Sequence, residues 1–305
     1  MIFSLLIGLF ISNVFSIPKW LKESLSSELF VKIGLVLLGT SVLFDDLLKA
    51  GALGLIQSCV VVFTVWNFCF WLCRKMKIDK EMSLMLSSAV SICGVSAAVA
   101  TAGAIKGDKT KLSYVVSLVL VVAVPMILIM PGLAKLMGLP EDMAGAWIGG
   151  TIDTTGAVAA TGAIYGEVAL QTSTIVKFSK NVLLGVVDFL ISIYWSYSKK
   201  DVAEEKPTLK VIWLRFPKFV LGFVAASLVF SFLVSPEVVS EAKPILKNIQ
   251  GMWFALAFMS IGLETDFKSL ITSENRRSTY AFLGAQAFNV VFTLFVAWIL
   301  FGLIA

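Results

Sequence analysis

The sequence contains no histidine and little charge. Asp, Glu, Lys and Arg together make up 15% of the 305 residues, against about 25% in a typical soluble domain. Without histidine the chain cannot use an imidazole as a general base or as a metal or haem ligand. The four cysteines form no CxxC pair, so we expect free thiols and no thiolate metal site. These absences argue against an enzyme and against a bound cofactor or metal.

Hydrophobic residues make up 58% of the chain and the mean hydropathy is +0.91, which predicts an all-α polytopic membrane protein in the lipid bilayer. The net charge of +5 includes no long basic run, so we do not expect nucleic acid as a partner. A membrane-spanning helix needs about 20 apolar residues. Ten segments reach or approach that length: residues 1–16, 30–44, 52–73, 82–105, 114–136, 143–165, 168–197, 216–234, 245–263 and 280–304.

The longest hydrophilic stretch, residues 198–210, predicts a cytoplasmic linker loop within a single transmembrane transporter domain over residues 1–305. If all ten segments cross the membrane, loops on one side carry 16 Lys and Arg residues and loops on the other side carry 6. The richer side is cytoplasmic by the positive-inside rule. Both termini are then predicted to lie outside.

Two stretches of small residues resemble each other. Residues 97–108 (AAVATAGAIKGD) and 156–167 (GAVAATGAIYGE) are identical at seven of twelve positions with a constant shift of 59. Apolar segments interrupted by glycine in related positions are typical of a transporter's binding site, because freed backbone in a bilayer must be buried or line a cavity. Close helix packing through small residues is the alternative. Small and polar residues precede each copy. Our candidate binding residues come from these residues and from the start of the second copy: Ser91, Cys93, Gly94, Ser96, Thr151, Asp153, Thr154, Thr155 and Gly156.

The two segments that hold these copies, residues 82–105 and 143–165, allow two topologies. Either both cross the membrane as broken helices, or both re-enter as hairpins from opposite faces. The hairpin variant changes the Lys and Arg count to 18 against 4. Charge bias is a statistical rule and leaves both topologies open.

Asp153, Lys177 and Lys180 are ionisable residues inside apolar segments, as are Lys32 and Asp188. An ionisable residue at membrane depth is costly and marks a functional site by default. Asp153 could hold Na⁺ or a proton, or it could be a helix N-cap. Lys177 and Lys180, one helical turn apart, could neutralise Asp153 or attract an anion, or their long side chains could reach the interface. For Asn181, Gln286 and Asn289 we expect interhelical hydrogen bonds.

Four short motifs follow one another along nearly the whole chain: residues 93–97 (CGVSA), 145–150 (GAWIGG), 177–180 (KFSK) and 261–266 (IGLETD). In order and spacing they resemble landmarks of the YeiH-type family of bacterial inner-membrane proteins, which carries a sulfate-exporter label. The resemblance implies a secondary transporter, loosely related to cation–proton antiporters and bile-acid symporters, with inverted repeats and an elevator-like core and scaffold. Relatives often have a His-Glu pair where this chain has Asp153-Thr154, which puts His-dependent proton coupling in doubt.

Two functions follow as expectations. The first is elevator-type secondary transport of a small, sulfate-like inorganic or organic anion, coupled to H⁺ or Na⁺ at Asp153. The second is a cation–proton antiporter that uses Asp153 as carrier and a lysine as counter-charge. An elevator scaffold would also be compatible with a homodimer. The sequence names neither the solute nor the direction of transport.

Overall fold

The computed structural model describes residues 2–15, 26–198, 213, 216–264 and 276–304. Within these residues the chain is helical, so the predicted all-α fold is confirmed. The helices are α1 (Ile2–Val14), α2 (Ser27–Gly39), α3 (Phe44–Lys75), α4 (Lys80–Ser88), α5 (Val95–Ile105), α6 (Lys109–Leu136), α7 (Glu141–Thr151), α8 (Thr155–Tyr165), α9 (Glu167–Ser198), α10 (Phe219–Leu228), α11 (Pro236–Glu264) and α12 (Arg276–Ala297). Three of them continue into π-helical turns, at Ala89–Cys93, Val229–Leu233 and Trp298–Ile304. The predicted linker, apart from Ser198, and residues 265–266 of the fourth motif lie outside the described residues.

Among the described residues, three helices are long and apolar enough to cross a membrane: Phe44–Lys75, Lys109–Leu136 and Arg276–Ile304. They support the predicted membrane protein. The two segments that carry the repeat are different, because each is divided into two short helices.

The second repeat copy lies in a helical hairpin formed by α7 and α8 (the second hairpin, residues 141–165). Glu141 at the start of α7 accepts hydrogen bonds through Oε2 from Val168 N (2.9 Å) and Ala169 N (3.4 Å), just beyond the end of α8. The Tyr165 hydroxyl, at the end of α8, donates to Leu139 O. Both ends of the hairpin therefore lie together. Eleven residues per helix give a depth of about 16 Å, roughly half a bilayer core.

The first repeat copy lies in a matching hairpin formed by α4, its π-helical turn and α5 (the first hairpin, residues 80–105). Asp79, which caps α4 by accepting from Met82 N at 3.1 Å, also accepts from Lys111 Nζ at 2.8 Å. Lys111 follows the end of α5 and bonds Glu81 Oε2 at 3.3 Å as well. The two ends of this hairpin also lie together.

The hairpins lie along α9 from its opposite ends. The second hairpin begins beside Val168 at the start of α9. The first begins near its end, where Lys80 Nζ lies 4.4 Å from the centre of the Tyr194 ring. Each of these segments therefore folds back on itself as a helical hairpin whose two ends lie together. Two of the ten predicted segments, residues 82–105 and 143–165, are thus not continuous helices.

The helices form two groups. The eight-helix group (α3–α9 and α12) is built around α9, which packs against α3, α5, α7 and α8. In the four-helix group (α1, α2, α10 and α11), α11 packs against α1 and α2, and α2 packs against α10. The groups meet chiefly where α8 lies against α2 and α11. The hairpins therefore belong wholly to one group.

Glycines bring α1 and α11 into close contact inside the four-helix group. A Cβ added to Gly262 would lie 2.7 Å from Leu9 N and 2.9 Å from Gly8 C. A Cβ at Gly8 would in turn meet Met259 O. Gly251, on the same helix α11, has nothing within 4 Å of its Cβ position.

We predict opposite effects for the same substitution at these two glycines. Gly262→Ala should destabilise the fold by about 1–3 kcal/mol, because backbone atoms must separate to admit the methyl group. The matched control, Gly251→Ala, should raise stability by about 0.5–1 kcal/mol through lower backbone entropy in the unfolded chain. Thermal unfolding of the purified proteins in detergent measures both. Equal melting temperatures for the two variants would contradict the helix contact described here.

Candidate functional site

The tips of the two hairpins touch. Gly94, between the π-helical turn and α5, has φ +62°, a conformation that favours glycine. A Cβ at Gly94 would lie 3.2 Å from Asp153 Cβ and 3.4 Å from Thr154 Cγ2, both at the tip of the second hairpin. It would also lie 2.7 Å from Val119 Cγ1 on α6. The glycine therefore allows both the reversal of the chain and the approach of the second tip.

Lys177 of α9 contacts the end of the first half of each hairpin, just before the tip. Its ammonium donates to Ile92 O (2.8 Å) in the first tip, and to Ile152 O (2.9 Å) and Asp153 O (2.7 Å) in the second. These carbonyls lie at helix C-terminal ends, where the helix dipole is negative and no further turn supplies donors. The side chain is fully buried, so it does not extend to a membrane interface.

Further donors pair with three more carbonyls in or near the tips. Lys180 Nζ donates to Gly150 O at 2.5 Å. From α12, Asn289 Nδ2 donates to Val90 O (3.2 Å) and Thr151 O (3.0 Å), and Gln286 Nε2 also donates to Thr151 O (3.2 Å). The expected interhelical hydrogen bonds of Gln286 and Asn289 are thus present, and their acceptors are the freed carbonyls of the hairpins.

The other side of the tips faces a cavity of about 770 Å³. The returning helices α5 and α8 begin in its wall, where Val95, Ser96, Thr155 and Gly156 contribute to the lining. First-turn N–H groups have no acceptor within their own helix. In α8 the Thr154 hydroxyl accepts from Ala157 N at 3.3 Å, which caps one of them. Two helix N-termini thus present donors and positive dipole ends to one space.

The cavity lies between the two helix groups. The eight-helix group supplies the two tips, Asn181 and Leu184 of α9, and a face of α6. The four-helix group supplies residues of α2, Phe219 of α10 and Ile261 of α11. A relative movement of the groups would therefore change the shape and access of the cavity.

The structure sorts the candidate binding residues into two sets. Five line the cavity: Cys93, Ser96, Thr154, Thr155 and Gly156. Six do not appear in its wall and lie in or behind the tips: Ser91, Gly94, Thr151, Asp153, Lys177 and Lys180. Ser91 bonds its own helix, with Oγ donating to Ser87 O at 2.7 Å. The wall also includes Asn181, whose expected interhelical hydrogen bond is present, with Nδ2 donating to Thr155 Oγ1 at 3.3 Å.

Asp153 lies at the tip of the second hairpin with 1% of its surface exposed. Its Oδ1 is buried and accepts no hydrogen bond from the residues that the structure describes. The N-cap of α8 is Thr154 and not Asp153, so the capping interpretation does not account for the carboxylate. A buried carboxylate oxygen with unused acceptor capacity can take a proton or a cation.

We predict that Lys177→Met is strongly destabilising. Three buried carbonyls lose their donor, which should lower the free energy of unfolding by about 3 kcal/mol or more. The control is Lys32→Met, whose ammonium pairs with Glu28 at 2.7 Å but is 38% exposed, so its loss should cost about 1 kcal/mol or less. Chemical or thermal unfolding in detergent compares the two. Similar losses in both variants would show that Lys177 does not hold the tips.

Comparison with known proteins agrees with the resemblance drawn from the motifs. The chain is 40% identical over 313 residues to a UPF0324 membrane protein of Rhodopirellula baltica, covering 99% of this chain and 58% of that protein. It is 37% identical over 314 residues to a UPF0324 membrane protein of Nitratidesulfovibrio vulgaris, covering 99% and 54%. The chain thus spans little more than half the length of these relatives. No solved structure matches it. A family model described as "Conserved hypothetical protein 698" matches residues 1–281, and the chain belongs to this family of UPF0324 membrane proteins, which confirms the predicted YeiH-type membership.

Proposed function

We propose that the protein is a secondary active transporter of a small anion, inorganic or organic, with ion-coupled, elevator-type alternating access. One observation carries the proposal: two hairpin tips meet, and the first turns of α5 and α8 both face one cavity. Helix N-termini that bring unpaired N–H groups and a positive dipole end to one point bind anions. Discontinuous helices with this role are a recurring design in secondary transporters.

The charges behind the tips support an anion as substrate. Lys177 and Lys180 compensate the negative helix ends on the far side of the tips. The N-terminal ends of α5 and α8 remain at the cavity, whose wall also contains Glu28 paired with Lys32 at 2.7 Å. The backbone carbonyl of Asp153 accepts from Lys177, and the next residue, Thr154, lines the cavity. The Asp153 carboxylate is our proposed site for the coupling ion, H⁺ or Na⁺.

The division into two helix groups supports an elevator movement. The tips, α6 and α9 all belong to the eight-helix group, and contacts between the groups are concentrated on α8. The eight-helix group would carry the bound anion as a core, while the four-helix group would remain as scaffold. The scaffold would also be the surface through which a homodimer forms.

We further infer the arrangement in a bacterial inner membrane. The hairpins would enter from opposite faces, the first from the cytoplasmic side, with both termini outside and the 198–210 linker in the cytoplasm. In this arrangement eight of the ten apolar segments cross and two re-enter. The chain would act on its solute by translocation, as a transporter and not as an enzyme.

Asp153 favours a second candidate, a cation–proton antiporter. A buried carboxylate whose Oδ1 has no hydrogen-bond partner among the described residues is a suitable carrier for a proton in exchange for a cation. Lys177 or Lys180 would then be the counter-charge. Transport assays separate the two candidates, since the antiporter needs no anion.

Flux into proteoliposomes under an imposed pH or Na⁺ gradient tests both candidates. We expect uptake of sulfate or a small organic anion to depend on the gradient, and Asp153→Asn to retain some flux but lose this dependence. The neutral amide keeps the shape of the side chain and removes its charge. Cation-driven pH changes in the absence of any permeant anion would favour the antiporter. Unchanged coupling in Asp153→Asn would remove Asp153 from the mechanism.

A cross-link between the helix groups tests the elevator movement. Lys247 of α11 pairs with Glu167 of α9 at 2.7 Å, and both side chains are more than half exposed. A thiol-reactive cross-linker applied to the double variant Glu167→Cys, Lys247→Cys should stop transport, because it ties core to scaffold. Each single cysteine variant is the control for reaction with the native Cys59, which is exposed. Full flux in the cross-linked protein would rule out this movement.

A further inference from the structure

The wall of the cavity offers hydrogen-bond donors at the tips and an apolar area beside them. The donors are the first-turn N–H groups of α5 and α8 and the hydroxyls of Ser96, Thr154 and Thr155. The apolar area comes from a face of α6 and from the four-helix group, and it includes Leu120, Val124, Ile127 and Ile261. A ligand at the tips therefore meets both hydrogen-bond donors and hydrocarbon.

Three charged residues also line the cavity, on the side of the four-helix group: Glu28, Lys32 and Lys218. Glu28 and Lys32 pair at 2.7 Å, and the Lys32 ammonium lies 5.7 Å from the centre of the Phe219 ring. The charges of this pair cancel, so Lys218 leaves the wall with a net charge of +1. Together with two positive helix ends, this charge favours a ligand that is negative overall over a zwitterion or a cation.

One residue of the wall adds an acceptor to these donors. Asn181 of α9 lines the cavity with 6% of its surface exposed. Its Nδ2 donates to Thr155 Oγ1 at 3.3 Å, while its Oδ1 is buried and has no hydrogen-bond partner among the described residues. Because both atoms belong to one amide group, Oδ1 lies close to Thr155, the first residue of α8. Buried polar atoms are nearly always paired, so an unused acceptor in a cavity wall indicates a ligand that donates a hydrogen bond.

The donors and this acceptor together restrict the chemistry of the ligand. An ionised carboxylate only accepts hydrogen bonds, so it fits the first-turn N–H groups but cannot satisfy Asn181 Oδ1. A hydroxyl brings the one donor that this oxygen needs. An ammonium brings three donors, and it places a positive charge beside two positive helix ends. A carboxylate with a neighbouring hydroxyl therefore fits the wall better than a simple carboxylate or an amino acid.

We propose that the cavity binds a 2-hydroxycarboxylate. Its carboxylate lies at the first turns of α5 and α8, and its hydroxyl donates to Asn181 Oδ1. The hydroxyl stands on the carbon next to the carboxylate, because the Asn181 amide is bonded to the first residue of α8. The proposal rests on the transport function proposed above and narrows its substrate to one chemical class.

A set of small ligands tests the class. The purified protein in detergent is titrated with lactate, propionate, 3-hydroxypropionate and lactamide, and binding is followed by calorimetry. The better-binding enantiomer of lactate should bind about tenfold more tightly than propionate, which lacks the hydroxyl. In 3-hydroxypropionate the hydroxyl is one carbon further from the carboxylate, so this isomer should bind no more tightly than propionate. Lactamide keeps the hydroxyl without the charge and should not bind measurably.

A pair of matched variants tests the contact with Asn181. Asn181→Leu keeps a similar volume and removes the acceptor, so lactate and propionate should bind this variant with equal affinity. Asn67→Leu makes the same change on α3, at an exposed residue outside the cavity wall whose Nδ2 donates to Phe63 O at 2.7 Å. This control should keep the preference for lactate of about tenfold. The ligand set on the unmodified protein decides the class even where Asn181→Leu does not fold.

The outcomes separate this inference from the proposed function. Gradient-driven sulfate flux in proteoliposomes, together with equal affinities for lactate and propionate, would keep the anion transporter and overturn the hydroxycarboxylate. Alanine binding more tightly than lactate would also overturn it, since the ligand would then be a zwitterion. A full preference for lactate in folded Asn181→Leu would overturn the contact with this residue. A preference that disappears in Asn181→Leu, without flux of any anion, would reject only the transport function.

Discussion

The freed carbonyls at the ends of α7 and of the π-helical turn after α4 are the constraint on which this structure depends. Each unpaired carbonyl in an apolar medium costs several kcal/mol. A helix that ends inside an apolar core leaves several of them. The Lys177 ammonium donates hydrogen bonds to three carbonyls, which come from both hairpins. The side chains of Lys180, Gln286 and Asn289 donate to three more. The costly burial of two lysines is thus tied to the existence of the breaks.

Because those donors stand on one side of the tips, the two sides of each break differ. The C-terminal ends are neutralised by α9 and α12, while the N-terminal ends of α5 and α8 remain turned to the cavity. Gly94 makes the arrangement compact, since any larger residue there would push against Asp153 and Val119. The paired carbonyls on one side and the helix N-terminal ends at the cavity on the other both follow from the same interruption of two helices.

Much of this arrangement could be predicted from local sequence patterns. The repeat at a shift of 59 located α5 and α8, and the apolar segment 168–197 matched α9 almost to the residue. The choice between hairpin and span could not be predicted, because it depends on contacts between distant residues such as Glu141 with Val168 and Lys111 with Asp79. The partners of the Lys177 ammonium could not be predicted from the sequence either. Helical periodicity shows that Lys177 and Lys180 share one face of α9, but it does not show which part of the hairpins this face contacts. For the same reason Asn181 was not recognised as part of the cavity wall.

The contact between the tips also limits the routes that the proposed transport could use. Gly94, Asp153 and Thr154 meet too closely for anything to pass between them, so a straight pore through the middle of the eight-helix group is closed by construction. The cavity is lined by the two tips and by residues of α2, α10 and α11. Under the proposed transport function, a solute would therefore enter and leave along the boundary between the two helix groups, and the width of that boundary would limit the size of the solute.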